Sequence, residues 1–440
     1  MYHFIGVGGV GMSALARLLK QKGCVVSGSD CKKSYVTDML QNEGIEVMIG
    51  QSAQHISPKQ IVVYSTAIKG DNPEWIASVE NKRLHRSELL EELLKDKKAL
   101  LIAGAHGKTT TTSLFSHVCV IAGLDPSFVI GGFSPSLNGL NGRCGEGEYF
   151  IAEADESDGS FLRANPVGAI ITNVDFDHLD YWKSKEALLE AYQKFIRGVL
   201  RKDLLFYWHE DPYMSLWNIG GVSYGLEGKG ELIGNNLRFE GGKQLFDIEF
   251  QGKSYFDVPL NLLGRHNVLN ALACFGMAIS IGISVDAIRI AFASFKGTQR
   301  RLELKGYIQG APVYDDYAHH PKEIESTLEA LQEVFKTQRR IAVFQPHRYS
   351  RLKDLMEEFA KKRVWKACDL LIVTDVFSAG EEKIPGATIE VFLEKLEIKS
   401  YYIPRNEMVR HLSGLVSSED VIIMLGAGDI TELSKELVNG

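Results

Sequence analysis

The residues best suited to chemistry stand in "LLIAGAHGKTTTTSL", where an apolar run ends in Gly104 and is followed by Gly107-Lys108-Thr109 and a helical pattern. A strand that hands glycines to a helix start leaves free backbone N–H groups and the positive end of the helix dipole facing outward, which favours phosphate. Lys108 can then reach β- and γ-phosphate oxygens, and the Thr109 hydroxyl can ligate Mg²⁺. Gly104, His106, Gly107, Lys108, Thr109 and Thr110 are therefore the candidate nucleotide-holding set. Ile102 stands where the commoner loop has its first glycine, so this is a shorter variant, and no N-K-x-D guanine-reading motif follows. Two acidic segments end the next apolar runs: "EADESD", with Glu153, Asp155, Glu156 and Asp158, and "TNVDFDHLD", with Asn173, Asp175, Asp177, His178 and Asp180. Ligands of doubly wound sheets collect at such carboxyl ends, so both are candidates for metal or phosphoryl chemistry.

A second glycine-rich turn opens the chain. "YHFIGVGGVGMSALA" carries Gly6-x-Gly8-x-x-Gly11, and Asp30 closes the next apolar run, the pattern of a dinucleotide fingerprint. Taken alone it points to an NAD(P)-dependent oxidoreductase. That reading leaves the Gly-Lys-Thr loop and the acidic strand ends without a purpose.

These loops need sheets to hold them. Residues 1–97 alternate short apolar runs with helical stretches at 12–22 and 34–43, which predicts a small parallel sheet with crossover helices. "RSELLEELLKDKK" marks a boundary. A central α/β domain over 98–297 includes alternating strands between 232 and 260, a β-meander, and a long apolar helix in "GRHNVLNALACFGMAISIG". A third α/β domain over 298–440 has strands near Val313 and in "RIAVFQ", "DLLIVTD" and "VIIML". The fold class is α/β with three domains: an N-terminal Rossmann-like one, a central P-loop one and a C-terminal Rossmann-like one.

Composition is compatible with this. The 440 residues are 45% hydrophobic and carry a net charge of −7, which gives no electrostatic reason to bind nucleic acid. No apolar run approaches the ~20 residues of a spanning helix, and the expectation is a cytoplasmic chain, monomeric or weakly dimeric. Six scattered cysteines form no C-x-x-C pair, so they are expected to be reduced structural thiols.

Eight segments in one order, "FIGVGGVGMSALA", "VSGSD", "GAHGKTTTT", "EADESDGSF", "TNVDFDHLDY", "GRHNVLNA", "DDYAHHPKEI" and "FQPHRYSR", resemble the Mur ligases of bacterial cell-wall synthesis. The resemblance implies a UDP-sugar domain, an ATPase domain and a C-terminal domain that carries the amino acid. It implies ATP and Mg²⁺ on Lys108 and Thr109, with Glu153 and His178 as further metal ligands. His266, Asn267 and Asn270 fall at positions near the adenine, and Arg301 and Asp316 at positions for the γ-phosphate and ribose. His347, Arg348 and Arg351 fall where the incoming amino acid is held. On their own, Arg348 and Arg351 at i and i+3 would share one face if a helix begins there, able to fork onto a carboxylate or phosphate. The fingerprint then becomes the UDP-sugar site, with Gly8, Gly9 and Gly11 at the diphosphate, Asp30 at the uridine, and Ser65 and Thr66 in the same cleft.

The implied reaction is ligation of L-alanine to the lactyl carboxylate of UDP-N-acetylmuramic acid through an acyl phosphate. Lys108, Glu153, His178, Arg301 and His347 are the candidate catalytic groups. The base that frees the amine is open among His178, His347 and substrate phosphate, and closure of the C-terminal domain is expected to assemble the site. Rival readings are the ligase that recycles murein tripeptide onto the same sugar, the oxidoreductase, and a nucleotide-gated binding protein. Two departures from the family stand out. Tyr192 occupies the place of a lysine that some members carbamylate, with Lys194 nearby, and Gln51 stands where a histidine is expected, four residues before His55.

Overall fold

Three sheets organise the chain in the computed structural model, which describes residues 1–176, 179–240 and 243–439. The first has five parallel strands, Tyr2–Ile5, Val26–Asp30, Glu46–Ile49, Ile61–Tyr64 and Lys82–His85, in the spatial order third, second, first, fourth, fifth. Strand order reverses between Tyr2–Ile5 and Ile61–Tyr64, so the loops that follow these two strands open onto one crevice. Helix Val10–Gln21 leaves that crevice and buries Met12, Leu15, Leu18 and Leu19, the apolar stripe of an amphipathic helix.

The second sheet has ten strands. Lys98–Ala103 lies at its centre, parallel to Gly168–Ile171 on one side and to Tyr149–Glu153 on the other. Beyond Tyr149–Glu153 comes the hairpin Ser127–Ser134 and Leu140–Arg143; beyond Gly168–Ile171 come Leu205–Trp208 and Val222–Leu226. The expected meander, Leu232–Glu240, Lys243–Phe250 and Lys253–Leu260, forms no separate layer but extends this sheet edgewise. One apolar core runs from Phe4 and Leu15 through Leu101 and Phe150 to Leu205, so the first two sheets share it. They lie in one compact unit, which comprises Met1–Glu240, Gln244–Asn261 and Leu269–Lys296.

A second unit takes in Leu262–Val268 and the chain from Gly297 onward. Its six-stranded sheet runs Glu303–Ile308, Ala311–Asp316, Asp420–Leu425, Arg339–Phe344, Leu370–Val373, Ser400–Tyr402. Asp420–Leu425 is buried at every position, as a central parallel strand covered on both faces should be, and the two faces belong to separate clusters around Phe344 and Met424. Two strands escape the apolar pattern. Glu303–Ile308 is half-exposed and bulged beside Gly306, whose φ is +154°, and Ser400–Tyr402 is an exposed edge. No helix among the described residues is long and apolar enough to cross a membrane.

Candidate active site

Helix Lys108–Ile121 starts at Gly107, whose φ of +84° and lack of a side chain leave the first turn without a side-chain cap. A Cβ at Gly107 would lie 3.0 Å from Asn270 Oδ1, and one at Gly104 would lie 2.1 Å from Thr172 Oγ1, so the loop is pressed between two walls that admit only glycine. The loop is also tied from outside. Asn173 Oδ1 accepts from the His106 N–H at 2.9 Å, Thr172 Oγ1 donates to the His106 carbonyl at 2.6 Å, and His106 Nε2 lies 3.1 Å from Asp175 Oδ2. Strand end Gly168–Ile171 thereby fixes the loop that strand Lys98–Ala103 delivers.

Lys108 Nζ donates to both oxygens of Glu156, at 2.7 and 3.0 Å, and to the Gly104 carbonyl at 2.5 Å. Burial works against its charge, but Glu156 and then Asp155 outweigh that, and the ammonium is held above the ordinary lysine range. Thr109 Oγ1 donates to Glu153 Oε2 at 3.1 Å, and the Gly131 N–H donates to the other Glu153 oxygen at 2.6 Å. Burial pushes the Glu153 carboxyl up, against the pull of the Gly131 N–H and Lys108. A hydroxyl and a half-buried carboxylate converging beside an uncapped helix start are a hard-oxygen donor pair, the kind that suits Mg²⁺ next to phosphate. Asp155 is held well below the carboxylate range: burial opposes this, and Lys108 and Arg86 outweigh it. His178, with Asp177, lies outside the described residues. Tyr192, in the carbamate position, is fully buried with a hydroxyl that has no partner among the described residues, and its ring centroid lies 5.4 Å from that of Phe161.

At the first sheet, Asp30 Oδ2 accepts from the Gly8 N–H at 2.9 Å, and a Cβ at Gly8 would come within 2.7 Å of that oxygen. Gly9 caps helix Val10–Gln21 with no side-chain bond and no acidic residue in the first turn. Ser65, half-buried, and Thr66, exposed, follow strand Ile61–Tyr64 on the other side of the strand-order reversal. Gln51 Oε1 accepts from Asn72 Nδ2 at 2.7 Å, while His55 Nδ1 lies 2.6 Å from the buried Glu74 carboxylate. Each of the two is thus committed to its own neighbour.

In the second unit, Asn267 donates to the Leu263 carbonyl and helps fold the helix start, and His266 is pushed down to about 4 by burial and by Arg301, so the imidazole is neutral at pH 7. Asp316 uses both carboxylate oxygens on backbone, taking the Leu302 and Ala318 N–H groups at 2.7 Å. It therefore holds the turn that carries Arg301. Arg348 corrects an expectation: its φ is +68° and it precedes helix Tyr349–Asp354, whereas Arg351 lies within it, so the two guanidiniums do not share a helical face. Arg351 Nη1 instead donates to His347 Nδ1 at 3.1 Å. His347 stacks on Phe377 with centroids 5.5 Å apart, and burial followed by Arg351, His319 and Arg348 brings it down to about 3.

Two arginines without a motif belong to these sites. Arg86 Nη2 donates to Asp155 at 2.8 Å and to Asp158 at 3.4 Å, and Arg300 ties Thr298–Leu302 to the loop after Asp420–Leu425 through the Gly426 and Gly428 carbonyls. Each depends on packing between residues far apart in sequence, which spacing does not disclose.

A P-loop beside acidic strand ends, on a chain that also has a glycine-rich crevice and a third α/β sheet, defines a nucleotide-using enzyme that brings a second phosphorylated ligand to the nucleotide. The chain belongs to the Mur ligase family: residues 1–98 match the Mur ligase family catalytic domain, 102–278 the middle domain and 300–428 the glutamate ligase domain. UDP-N-acetylmuramate–L-alanine ligase of Protochlamydia amoebophila is 41% identical over 445 aligned residues, covering 100% of this chain and 97% of that protein. The protein of the same name from Aquifex aeolicus is 38% identical, covering 99% and 97%. The solved UDP-N-acetylmuramate–alanine ligase of Thermotoga maritima is 30% identical and superposes with a TM-score of 0.85 over 100% of this chain and 98% of its own. A murein peptide ligase of Psychrobacter arcticus, at 22% identity and a TM-score of 0.72, shares the fold.

Proposed function

We infer that this chain ligates L-alanine to the lactyl carboxylate of UDP-N-acetylmuramic acid with conversion of ATP to ADP and phosphate, a step in making peptidoglycan precursors. The observation that carries this reading is the hydrogen-bonded set Lys108, Glu156, Thr109 and Glu153 at an uncapped helix start, with Thr109 and Glu156 buried, in the same compact unit as the Gly8–Asp30 crevice. Relatives that match end to end and bear this activity in their names supply the substrates.

In the first step a lactyl oxygen attacks the γ-phosphorus, the bond to the β-phosphate oxygen breaks, and ADP leaves. In the second the alanine amine attacks the acyl carbon, the carbon–oxygen bond breaks, and phosphate leaves with loss of a proton. Both build negative charge on oxygen, which Lys108 and Arg301 are suited to stabilise. Mg²⁺ held by Thr109 and Glu153 would neutralise phosphate charge. Asn270, against Gly107, lies next to the nucleotide loop, and His266 and Asn267 stand for the adenine side. Arg348 and Arg351 stand for the alanine carboxylate. His347 is not the base in this arrangement, since Nδ1 already accepts from Arg351 and its pKa is about 3. Asp316, which holds the Arg301 turn through one backbone N–H on each oxygen, stands for the ribose.

Phosphate release from ATP, measured with UDP-N-acetylmuramic acid and each of L-alanine, L-serine, glycine and murein tripeptide, tests this. Release with L-alanine is expected to exceed the others. Release with tripeptide alone would move the chain to the recycling branch, and release with none would end the ligase reading.

A further inference from the structure

Arg348 stands in a backbone conformation that costs any residue except glycine, with φ at +68° and ψ at 137°. Such a conformation persists only where its neighbours over-determine it. Those neighbours lie in the turn after strand Leu370–Val373. The Arg348 N–H donates to the Phe377 carbonyl at 2.8 Å and the Phe377 N–H returns a bond to the Pro346 carbonyl at 2.9 Å, beside an isolated parallel bridge between His347 and Phe377. Positive φ at Ala379 and Gly380, +52° and +83°, then brings Glu381 back onto the start of helix Tyr349–Asp354. One Glu381 oxygen accepts from the Ser350 N–H at 3.0 Å and the other from Ser350 Oγ at 2.7 Å.

This contact differs from an ordinary helix cap in two ways. Arg348 occupies the cap position and supplies no side-chain bond, so the capping group is imported from a residue 31 positions beyond Ser350. Glu381 also lies close enough to Arg348 to feel its charge: burial would raise the carboxyl, but Ser350 and then Arg348 hold it below the usual range. A carboxylate beside an arginine ordinarily takes the fork. Here both oxygens are spent on Ser350, and the exposed Arg348 guanidinium makes no hydrogen bond or ion pair among the described residues. The strained residue is thus fixed through its backbone while its charge stays open to a ligand.

We propose that Glu381 is a positioning residue for the amino-acid step: by binding Ser350 through both oxygens it keeps Arg348 in its left-handed conformation, with the guanidinium unpaired for the carboxylate of L-alanine. This rests on the reading of Arg348 as a holder of that carboxylate and adds the residue that sets its geometry.

The test is steady-state phosphate release by the full-length protein, varying L-alanine, ATP and UDP-N-acetylmuramic acid in turn, for wild type, Glu381→Gln and Glu381→Ala. Loss of both Ser350 bonds is expected to raise the KM for L-alanine about tenfold in Glu381→Ala, with Glu381→Gln, which keeps an acceptor oxygen, between. The KM values for ATP and the UDP-sugar should stay within about twofold of wild type. Because Glu381 acts through Arg348, its removal from an Arg348→Ala protein should change kcat/KM for L-alanine by less than about twofold. An unchanged KM for L-alanine in Glu381→Ala would overturn the assignment while leaving the ligase reading intact. Equal rises in all three KM values, or a full additive loss in the Arg348→Ala background, would also overturn it, because Glu381 would then only support the fold. An Arg348→Ala protein with the wild-type KM for L-alanine would overturn the reading of Arg348 itself.

Discussion

Lys108 Nζ sits 2.7 Å from Glu156 Oε2, so the lysine that would meet a phosphate is already neutralised by a buried carboxylate. A phosphate must draw the ammonium away from Glu156, or share it, and the loop keeps the ion aimed until then. Two consequences separate in Lys108→Ala. Turnover is expected to fall at least a hundredfold or so, because a preorganised charge at the reacting phosphate is gone. Stability at pH 7 is expected to fall by about 3 kcal/mol, because Glu156 is left buried without its cation. Adding Glu156→Gln should restore the melting temperature but not the activity. Retained phosphate release by Lys108→Ala would remove the lysine from the mechanism.

Arg300 and Arg301 flank one ring, that of Tyr317, at 4.9 and 5.2 Å, but their forks have different fates. Arg300 spends its donors on the Gly426 and Gly428 carbonyls, and Arg301 makes no hydrogen bond or ion pair among the described residues. Positive φ at Arg300 and Leu302, +60° and +47°, turns the chain on either side of Arg301. Arg301→Ala is therefore expected to lower kcat by about a hundredfold with little change in melting temperature, as for loss of a transition-state donor. Arg300→Ala should do the reverse first, costing about 2–3 kcal/mol in urea unfolding by leaving the Gly426 and Gly428 carbonyls without their donor and removing one of the charges beside the buried Asp315, which keeps Thr431 and Lys305. Equal destabilisation by both would make Arg301 structural.

How far this was legible in the sequence follows from range. The turn at Gly107 and the helix start at Lys108 are legible because a positive-φ glycine and an uncapped helix start are local facts, written within a few residues. The buried parallel strands such as Tyr2–Ile5, Lys98–Ala103, Gly168–Ile171, Arg339–Phe344 and Asp420–Leu425 are legible for the same reason, as short apolar runs, whereas the edge strands Lys82–His85 and Ser400–Tyr402 carry no such run. The shared face of Arg348 and Arg351 failed because one backbone angle, +68° at Arg348, decides it, and nothing in "HRYSR" specifies that angle. Glu303–Ile308 was hidden because it is half-exposed and bulged, with no clean alternation to read. Arg86 looked like the first residue of a boundary helix, since its partners lie 69 and 72 residues away.

Asp316 links the Arg301 turn to pH. Burial raises its carboxyl from 3.8 to about 6, against Arg301 and the two N–H donors. A group whose pKa rises on folding stabilises the fold fully below its unfolded pKa and loses that contribution as pH climbs through the folded one. The window is therefore about pH 4 to 6, and the difference between the two pKa values corresponds to roughly 3 kcal/mol. Urea unfolding followed across this range should weaken as pH rises, and Asp316→Asn should flatten the slope. An unchanged slope in Asp316→Asn would assign the effect to another carboxylate.

His347 has Arg351 on Nδ1, Phe377 stacked on its ring, His319 at 6.1 Å between centroids, and Arg348 and Glu381 nearby. Only Glu381 favours protonation; burial, both arginines and His319 oppose it, which is why the imidazole lies near 3. Because the Arg351 guanidinium can only donate, Nδ1 must accept, and the ring proton is placed on Nε2. Such a ring can donate to a carboxylate or phosphate but does not take a proton from an ammonium at neutral pH. Its expected role is to orient the amino acid, so His347→Ala should raise the KM for L-alanine more than it lowers kcat. Carbon-13 NMR of labelled histidine should show no titration of this ring between pH 5 and 8. In Arg351→Met, with the largest neighbouring charge removed and Nδ1 freed, the ring should titrate closer to the ordinary histidine value of ~6.5. A wild-type His347 that titrates near neutrality would return it to the list of candidate bases.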